Sequence, residues 1–131
     1  MLSDDQGWGD LGFTGNTFVQ TPNIDRIAHE GTILENFYVC PVSSPTRAEF
    51  LTGRYHVRSG VNSTTGGGER FNLGEKTIAE YFREAGYATS LFGKWHSGTQ
   101  YPYHPNARGF EGILWFLFRA LGELLEPSVG A

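Results

Sequence analysis

Ser43 heads the stretch Ser43-Ser44-Pro45-Thr46-Arg47-Ala48-Glu49-Phe50-Leu51-Thr52-Gly53-Arg54, with a guanidinium four residues on. At that spacing, one helical turn, Arg47 can fork onto an oxyanion beside the hydroxyl and keep it paired without losing its own charge. A serine hydroxyl is a weak nucleophile at neutral pH and needs either a base or conversion into something better. A second group of chemistry-bearing residues, Gly93-Lys94-Trp95-His96, offers a cation and a proton carrier two positions apart. The third lies at the start, where Asp4 and Asp5 open Asp4-Asp5-Gln6-Gly7-Trp8-Gly9-Asp10. Paired carboxylates are oxygen donors of the kind hard divalent cations take in numbers. Each group alone also fits a plainer reading: a helix-surface arginine, a solvated Lys/His pair, an exposed acidic turn.

These groups need elements to hold them. Thr21-Pro22 reads as an N-cap with proline at the first helical position. Ile24, Ile27 and Ala28 follow at helical spacing and Gly31 stops a helix over Pro22 to Glu30. Thr32 to Val39 is rich in β-branched and aromatic residues and ends at Pro41, which predicts a strand. In the next helix Ser44 can cap, Pro45 suits the first helical position and Gly53 can close. Ser43 would then stand immediately before a helix N-terminus and face its partial positive charge. Asn62 to Glu69 has no period and reads as a flexible surface loop. It is no phosphate cradle, since no strand precedes it and no Lys-Ser/Thr closes it. Glu75 to Ala85 carries Ile78, Ala79, Phe82 and Ala85 on one helical face and stops at Gly86, and Tyr87 to Phe92 reads as a strand. Lys94 and His96 would therefore project at the carboxyl edge of a sheet, where α/β folds place ligands. Helix then strand, repeated, indicates an α/β sandwich with a mostly parallel sheet flanked by helices.

The totals narrow the partners. A length of 131 residues suits one domain, here read as one partial domain, and 18 glycines, about twice the average share of roughly 7%, indicate many turns and close backbone approaches. Net charge is −4 and the ten basic residues are scattered, which leaves no footprint for nucleic acid or an anionic membrane. No apolar run approaches the roughly 18 residues of a spanning helix, and no signal peptide is read at the start. One cysteine, Cys40, forms no internal disulfide and is no metal site by itself. His29, His56 and His104 lack the spacing of a metal-ligand pair and read as surface or structural residues.

The stretch Ser43 to Arg54 closely resembles the signature of the type I sulfatases, in which Cys or Ser, a variable residue, Pro, a small hydroxyl residue and Arg precede Leu-Thr-Gly-Arg. Gly93-Lys94-Trp95-His96, the aspartate-rich start, Thr21-Pro22-Asn23-Ile24-Asp25-Arg26 and Arg108-Gly109-Phe110 extend the resemblance from Leu2 to about Phe110. The resemblance implies a partial alkaline-phosphatase-like sandwich and a sulfuric ester hydrolase acting on sulfate esters of carbohydrate or aryl alcohols. It implies that Ser43 is oxidised to formylglycine by a maturation enzyme able to act on serine, and that the hydrated aldehyde attacks sulfur. Arg47 and Lys94 would then stabilise the sulfuryl group and His96 would remove the second hydroxyl proton of the hydrate. Asp4, Asp5 and the modified Ser43 would hold a divalent cation, usually Ca2+. Localisation stays open, the full-length family being compatible with a periplasmic or extracellular place.

Some features depart from the family pattern. Thr46 replaces the more usual Ser, most of the first, central strand is missing before Asp4, and the later metal ligands, leaving-group histidine and second sulfate-binding lysine have no counterpart. Residues 1–112 are read as the N-terminal part of a sulfatase catalytic domain, and 113–131 as a divergent tail with an amphipathic run from Trp115 to Leu125. A frame shift beyond Gly112 is the expectation for that tail. Two alternatives accompany the enzyme reading: a non-catalytic remnant that binds an anion and a cation, and a related phosphatase or phosphonate hydrolase.

Overall fold

A computed structural model describes residues 1–116 of the chain. Residues 117–131, where most of the expected tail falls, lie outside the described residues. The chain divides into two compact units, Met1–Val39 and Cys40–Ala131.

In the first unit, helix α1 spans Pro22–Glu30, as the Thr-Pro start and glycine stop predict. Thr21 does not cap it by a side-chain bond. Its hydroxyl instead accepts from the Gly12 N–H at 2.9 Å and donates to Asp25 Oδ1 at 2.7 Å. Asp25 also accepts the Phe13 N–H at 2.9 Å, so one carboxylate ties the helix to the preceding 3-10 turn, Gly12–Thr14. The strand expected over Thr32 to Val39 is not formed. β propensity makes an extended segment, but a strand exists only where its N–H and C=O groups meet a neighbour's. Among the described residues the only sheet pairs two other segments, and Leu34, Phe37, Tyr38 and Val39 stand exposed.

The second unit contains α2 (Ser43–Thr52), α3 (Ile78–Glu84), β1 (Ser90–Lys94) and β2 (Gly112–Phe116). The two strands run parallel, with Ser90 opposite Gly112 and Lys94 opposite Phe116. Helices beside a parallel pair make this a partial α/β fragment. Helix α2 starts two residues earlier than the expected Pro45 start, with Val42, in extended conformation, as its N-cap and no side-chain cap bond. Ser43 is thus the first residue of the helix and not the residue before it. Gly53 closes α2 in the left-handed conformation, φ 65°, as expected of a glycine C-cap. Helix α3 is shorter than the Glu75 to Ala85 segment and β1 begins later than Tyr87, because both are set by partners. Thr77 and Glu80 form a reciprocal capping box that starts α3, and the register with β2 starts β1 at Ser90.

Ala48 and Leu51 from α2, with Val61, Phe71 and Trp95, form the buried cluster, and Leu91 and Phe110 pack against it. Trp95 meets Phe71 and Phe110 edge-on at 6.1 and 5.8 Å. Arg108 is buried under this layer, its guanidinium 4.7 Å over the Phe71 ring and donating to the Leu73 and Glu75 carbonyls. The turn after it needs Gly109: φ is 95°, and a Cβ there would lie 2.5 Å from the Glu80 backbone nitrogen. Thr77 accepts the Glu80 N–H at 3.1 Å and donates to the Arg108 carbonyl at 2.8 Å in a buried bond. Thr77→Ala therefore loses a cap and leaves a buried carbonyl short of a donor. We expect a loss of about 2 kcal/mol, read as a lower denaturant midpoint at unchanged slope.

Candidate functional site

Ser43 owes its setting to α2. A residue in the first helical turn lies where unsatisfied N–H groups and the helix dipole favour negative charge. From one turn on, the Arg47 Nε–H donates to Ser43 Oγ at 2.9 Å, and its Nη1–H donates to the Lys94 carbonyl at 2.8 Å. Arg47 is buried, with 8% of its surface exposed. A buried guanidinium is held only by excellent partners, and here one side chain joins the start of α2 to the end of β1. This bidentate tether also accounts for the early helix start, since a hydroxyl engaged by Arg47 is not used to cap. Ser44, the expected cap, is instead fully buried, and its hydroxyl has no hydrogen-bond partner.

Lys94 is the last residue of β1, at the carboxyl end of the parallel pair. Trp95, 1% exposed, anchors the segment: its indole N–H lies 2.9 Å from the Gly98 carbonyl and 3.0 Å from that of Tyr103. The partly exposed Lys94 and His96 flank this anchor. His96 takes a left-handed conformation, φ 61°. For a residue with a Cβ that conformation costs about 1–2 kcal/mol, and such outliers cluster at working sites. The ring Nε2 lies 3.0 Å from the Thr64 carbonyl and donates to it in the tautomer protonated there. The Asn62 to Glu69 segment, read from sequence as a mere surface loop, thus supplies the oxygen that orients the imidazole. No sequence signal marks that contact, because every residue type offers a backbone carbonyl.

Of the residues expected at the site, Ser43, Arg47, Lys94 and His96 share the second unit, and Arg47 touches both Ser43 and Lys94. Asp4 and Asp5 belong to the first unit, where both are exposed and Asp5 has φ 53°. Their carboxylates are oxygen donors of the right chemistry for a hard cation, which takes six to eight oxygens. Arg54, just past the end of α2, reaches Glu75 with Nη1 3.1 Å from the carboxylate.

On another side of α2, Glu49 meets His56 and Cys40. Burial works against the Glu49 charge, yet the His56 ring, its backbone N–H and its charge hold the carboxyl below the ordinary value. Burial, reinforced by the Glu49 charge, pushes the Cys40 thiol up, while Thr46 pulls the other way.

A hydroxyl in the first turn of a helix is thus gripped by a buried arginine that also holds the backbone at the end of a parallel strand. The family model described as Sulfatase matches residues 1–116. The match runs past Phe110, where the motif resemblance ends, through the whole of β2. The chain is 45% identical over 116 residues to arylsulfatase G of Canis lupus familiaris, covering 85% of this chain and 21% of that protein. It is 39% identical over 127 residues to N-acetylgalactosamine-6-sulfatase of Sus scrofa, covering 88% of this chain and 24% of that protein. Among solved structures it is similar to Ps i-CgsB in complex with k-i-k-neocarrahexaose, with TM-score 0.74 and 38% identity over 87% of this chain and 26% of that one. The chain belongs to the sulfatase family. It spans between a fifth and about a quarter of the length of these relatives.

Proposed function

We propose that this chain supplies the nucleophile end of a sulfatase site that hydrolyses sulfate esters of carbohydrate or aryl alcohols. The observation that carries the reading is the double grip of Arg47 on Ser43 Oγ, 2.9 Å, and on the Lys94 carbonyl, 2.8 Å. That grip aligns hydroxyl, guanidinium and strand end before any substrate arrives, and preorganised charge is the largest single source of catalysis in such sites. The relative named N-acetylgalactosamine-6-sulfatase and the structure in complex with k-i-k-neocarrahexaose favour a carbohydrate leaving group.

In this reading Ser43 is converted to formylglycine by a separate maturation enzyme, and the modified side chain, once hydrated, supplies a hydroxyl able to attack sulfur. Arg47 stays charged at every working pH and pairs with the oxygens of the sulfuryl group. Lys94 adds a second positive charge from the strand end, and the start of α2 adds partial charge from its backbone N–H groups. One such donor is worth about 3 kcal/mol of barrier. His96, held through Nε2, takes the proton whose removal lets sulfate leave, a role suited to an imidazole near neutral pH. Asp4 and Asp5 would serve as oxygen ligands of a divalent cation, and Ca2+ suits their hardness.

The test expresses the chain together with a formylglycine-generating enzyme that accepts serine. Peptide mapping is expected to show a loss of about 2 Da at Ser43, the two hydrogens removed in forming an aldehyde. Turnover of a sulfate ester by the product, lost on calcium chelation or in Asp4→Asn/Asp5→Asn, would bear out catalysis by this chain. A modified or unmodified chain that binds sulfate without turnover would sink catalysis by this chain and support the binding-only reading.

A further inference from the structure

Cys40, Glu49 and His56 come from three places: the loop before α2, its second turn, and the loop after it. None of them takes part in the sulfatase reading. Their donor atoms nonetheless converge. His56 Nδ1 lies 2.7 Å from Glu49 Oε1 and 3.5 Å from Cys40 Sγ, and the sulfur is 4.0 Å from the same carboxylate oxygen. Among the described residues this is the group of three such side chains whose ligand atoms all lie within 4.8 Å of one another.

The surroundings hold these donors in place. The Cys40 carbonyl accepts from the Thr46 hydroxyl at 3.1 Å, which fixes the loop ahead of α2. The His56 N–H donates to Glu49 Oε1 at 3.1 Å, and the His56 carbonyl accepts from the Ser59 hydroxyl at 2.9 Å and the Val61 N–H at 3.0 Å. The His56 and Glu49 side chains are 18% and 28% exposed, low enough to shield an ion and open enough to admit one.

We propose that Cys40, Glu49 and His56 form a Zn2+ site with three protein ligands and one open position for water. A soft sulfur, an imidazole nitrogen and a carboxylate oxygen are together the donor set of zinc and not of calcium or magnesium. Tetrahedral zinc, with bonds of about 2.3 Å to sulfur and about 2.0 Å to nitrogen and oxygen, spaces sulfur and nitrogen about 3.5 Å apart and nitrogen and oxygen about 3.3 Å. The Cys40 to His56 separation already has the first value. Glu49 has to swing out from the ring and in toward the sulfur, a rotation of one side chain. On binding, the thiol gives its proton to solvent as the sulfur–zinc bond forms, and the imidazole carries its proton on Nε2 so that the Nδ1 lone pair faces the ion. Thiolate and carboxylate together balance the charge of Zn2+, so the filled site is neutral.

The test titrates the 131-residue chain with Co2+ and then Zn2+. One ion per chain is expected, with tetrahedral cobalt bands and a thiolate-to-cobalt charge-transfer band that Zn2+ abolishes. Cys40→Ser removes the charge-transfer band, and Cys40→Ser and His56→Ala each weaken Zn2+ binding at least about tenfold, as loss of one of three ligands requires. Asp4→Asn/Asp5→Asn and Ser43→Ala leave the band intact, which separates this site from the proposed sulfatase site. The unaltered chain gives a readout that needs no variant to fold: saturating Zn2+, and not Ca2+, slows alkylation of Cys40 at least about tenfold. The proposal is overturned by a cobalt spectrum without thiolate character, by unchanged alkylation under Zn2+, or by variants that bind as the unaltered chain does.

Discussion

On the sulfatase reading proposed above, Ser43→Ala is expected to abolish sulfate-ester turnover, a loss of about 10⁶-fold when a catalytic nucleophile is removed. It should also erase the aldehyde mass signature, since alanine has no oxygen to oxidise. The physical reason is that the proposed reading rests the reaction on one atom, Ser43 Oγ, in the first turn of α2 and held by Arg47, which also holds the Lys94 carbonyl. Fold is little affected, because Ser43 is only half-buried in the first turn of α2 and Arg47 keeps its bond to the Lys94 carbonyl. Circular dichroism of the variant should match that of the parent chain. Ser43→Cys is the informative companion, because the family oxidises either residue: it should regain the aldehyde with a maturation enzyme that accepts cysteine. Turnover in Ser43→Ala near the parent rate would remove Ser43 from the reaction altogether.

Trp95→Ala is expected to be the most damaging substitution for stability, at about 3–5 kcal/mol. Trp95 is 1% exposed, meets Phe71 and Phe110 edge-on, and its indole N–H is shared between the Gly98 and Tyr103 carbonyls. Its removal opens a cavity in the core cluster and strips the Gly98 and Tyr103 carbonyls, the first of them buried, of their donor. A domain holds only 5–15 kcal/mol in total, so the denaturant midpoint should fall steeply. The consequence reaches the site, because Trp95 stands between Lys94 and His96 and fixes both by fixing the chain between them. Phe92→Ala, at a side chain 76% exposed on the neighbouring strand, should shift the midpoint by no more than about 0.5 kcal/mol. Equal losses in the two variants would mean that the tryptophan does not anchor the site.

What could be read from the residues was whatever is local. Helix α1 has its predicted bounds because proline at the first position and glycine after the last act within a few residues. Gly53 closes α2 for the same reason. The segments that differ are those that depend on distant partners. Thr32 to Val39 has the composition of a strand, but composition does not supply a neighbouring strand. β1 begins at Ser90, not Tyr87, because Gly112 opposite sets its register, and most of its partner Gly112–Phe116 falls in the segment read from sequence as a divergent tail. Helix α2 begins at Ser43 because an arginine one turn later occupies the hydroxyl.

For the site, the sequence by itself determined the chemical types and the order of the groups: Ser43 with Arg47 one turn on, Lys94 with His96, and the paired Asp4 and Asp5. These are fixed by short spacings, which a chain carries into any fold. Only the tertiary structure decided that Arg47 reaches across 47 positions to the Lys94 carbonyl and that His96 takes a left-handed conformation against the Thr64 carbonyl. It also decided that Cys40, Glu49 and His56 share one point in space. Contacts of that kind depend on where a loop returns and which backbone oxygen it brings, and neither is written in the identity of any single residue.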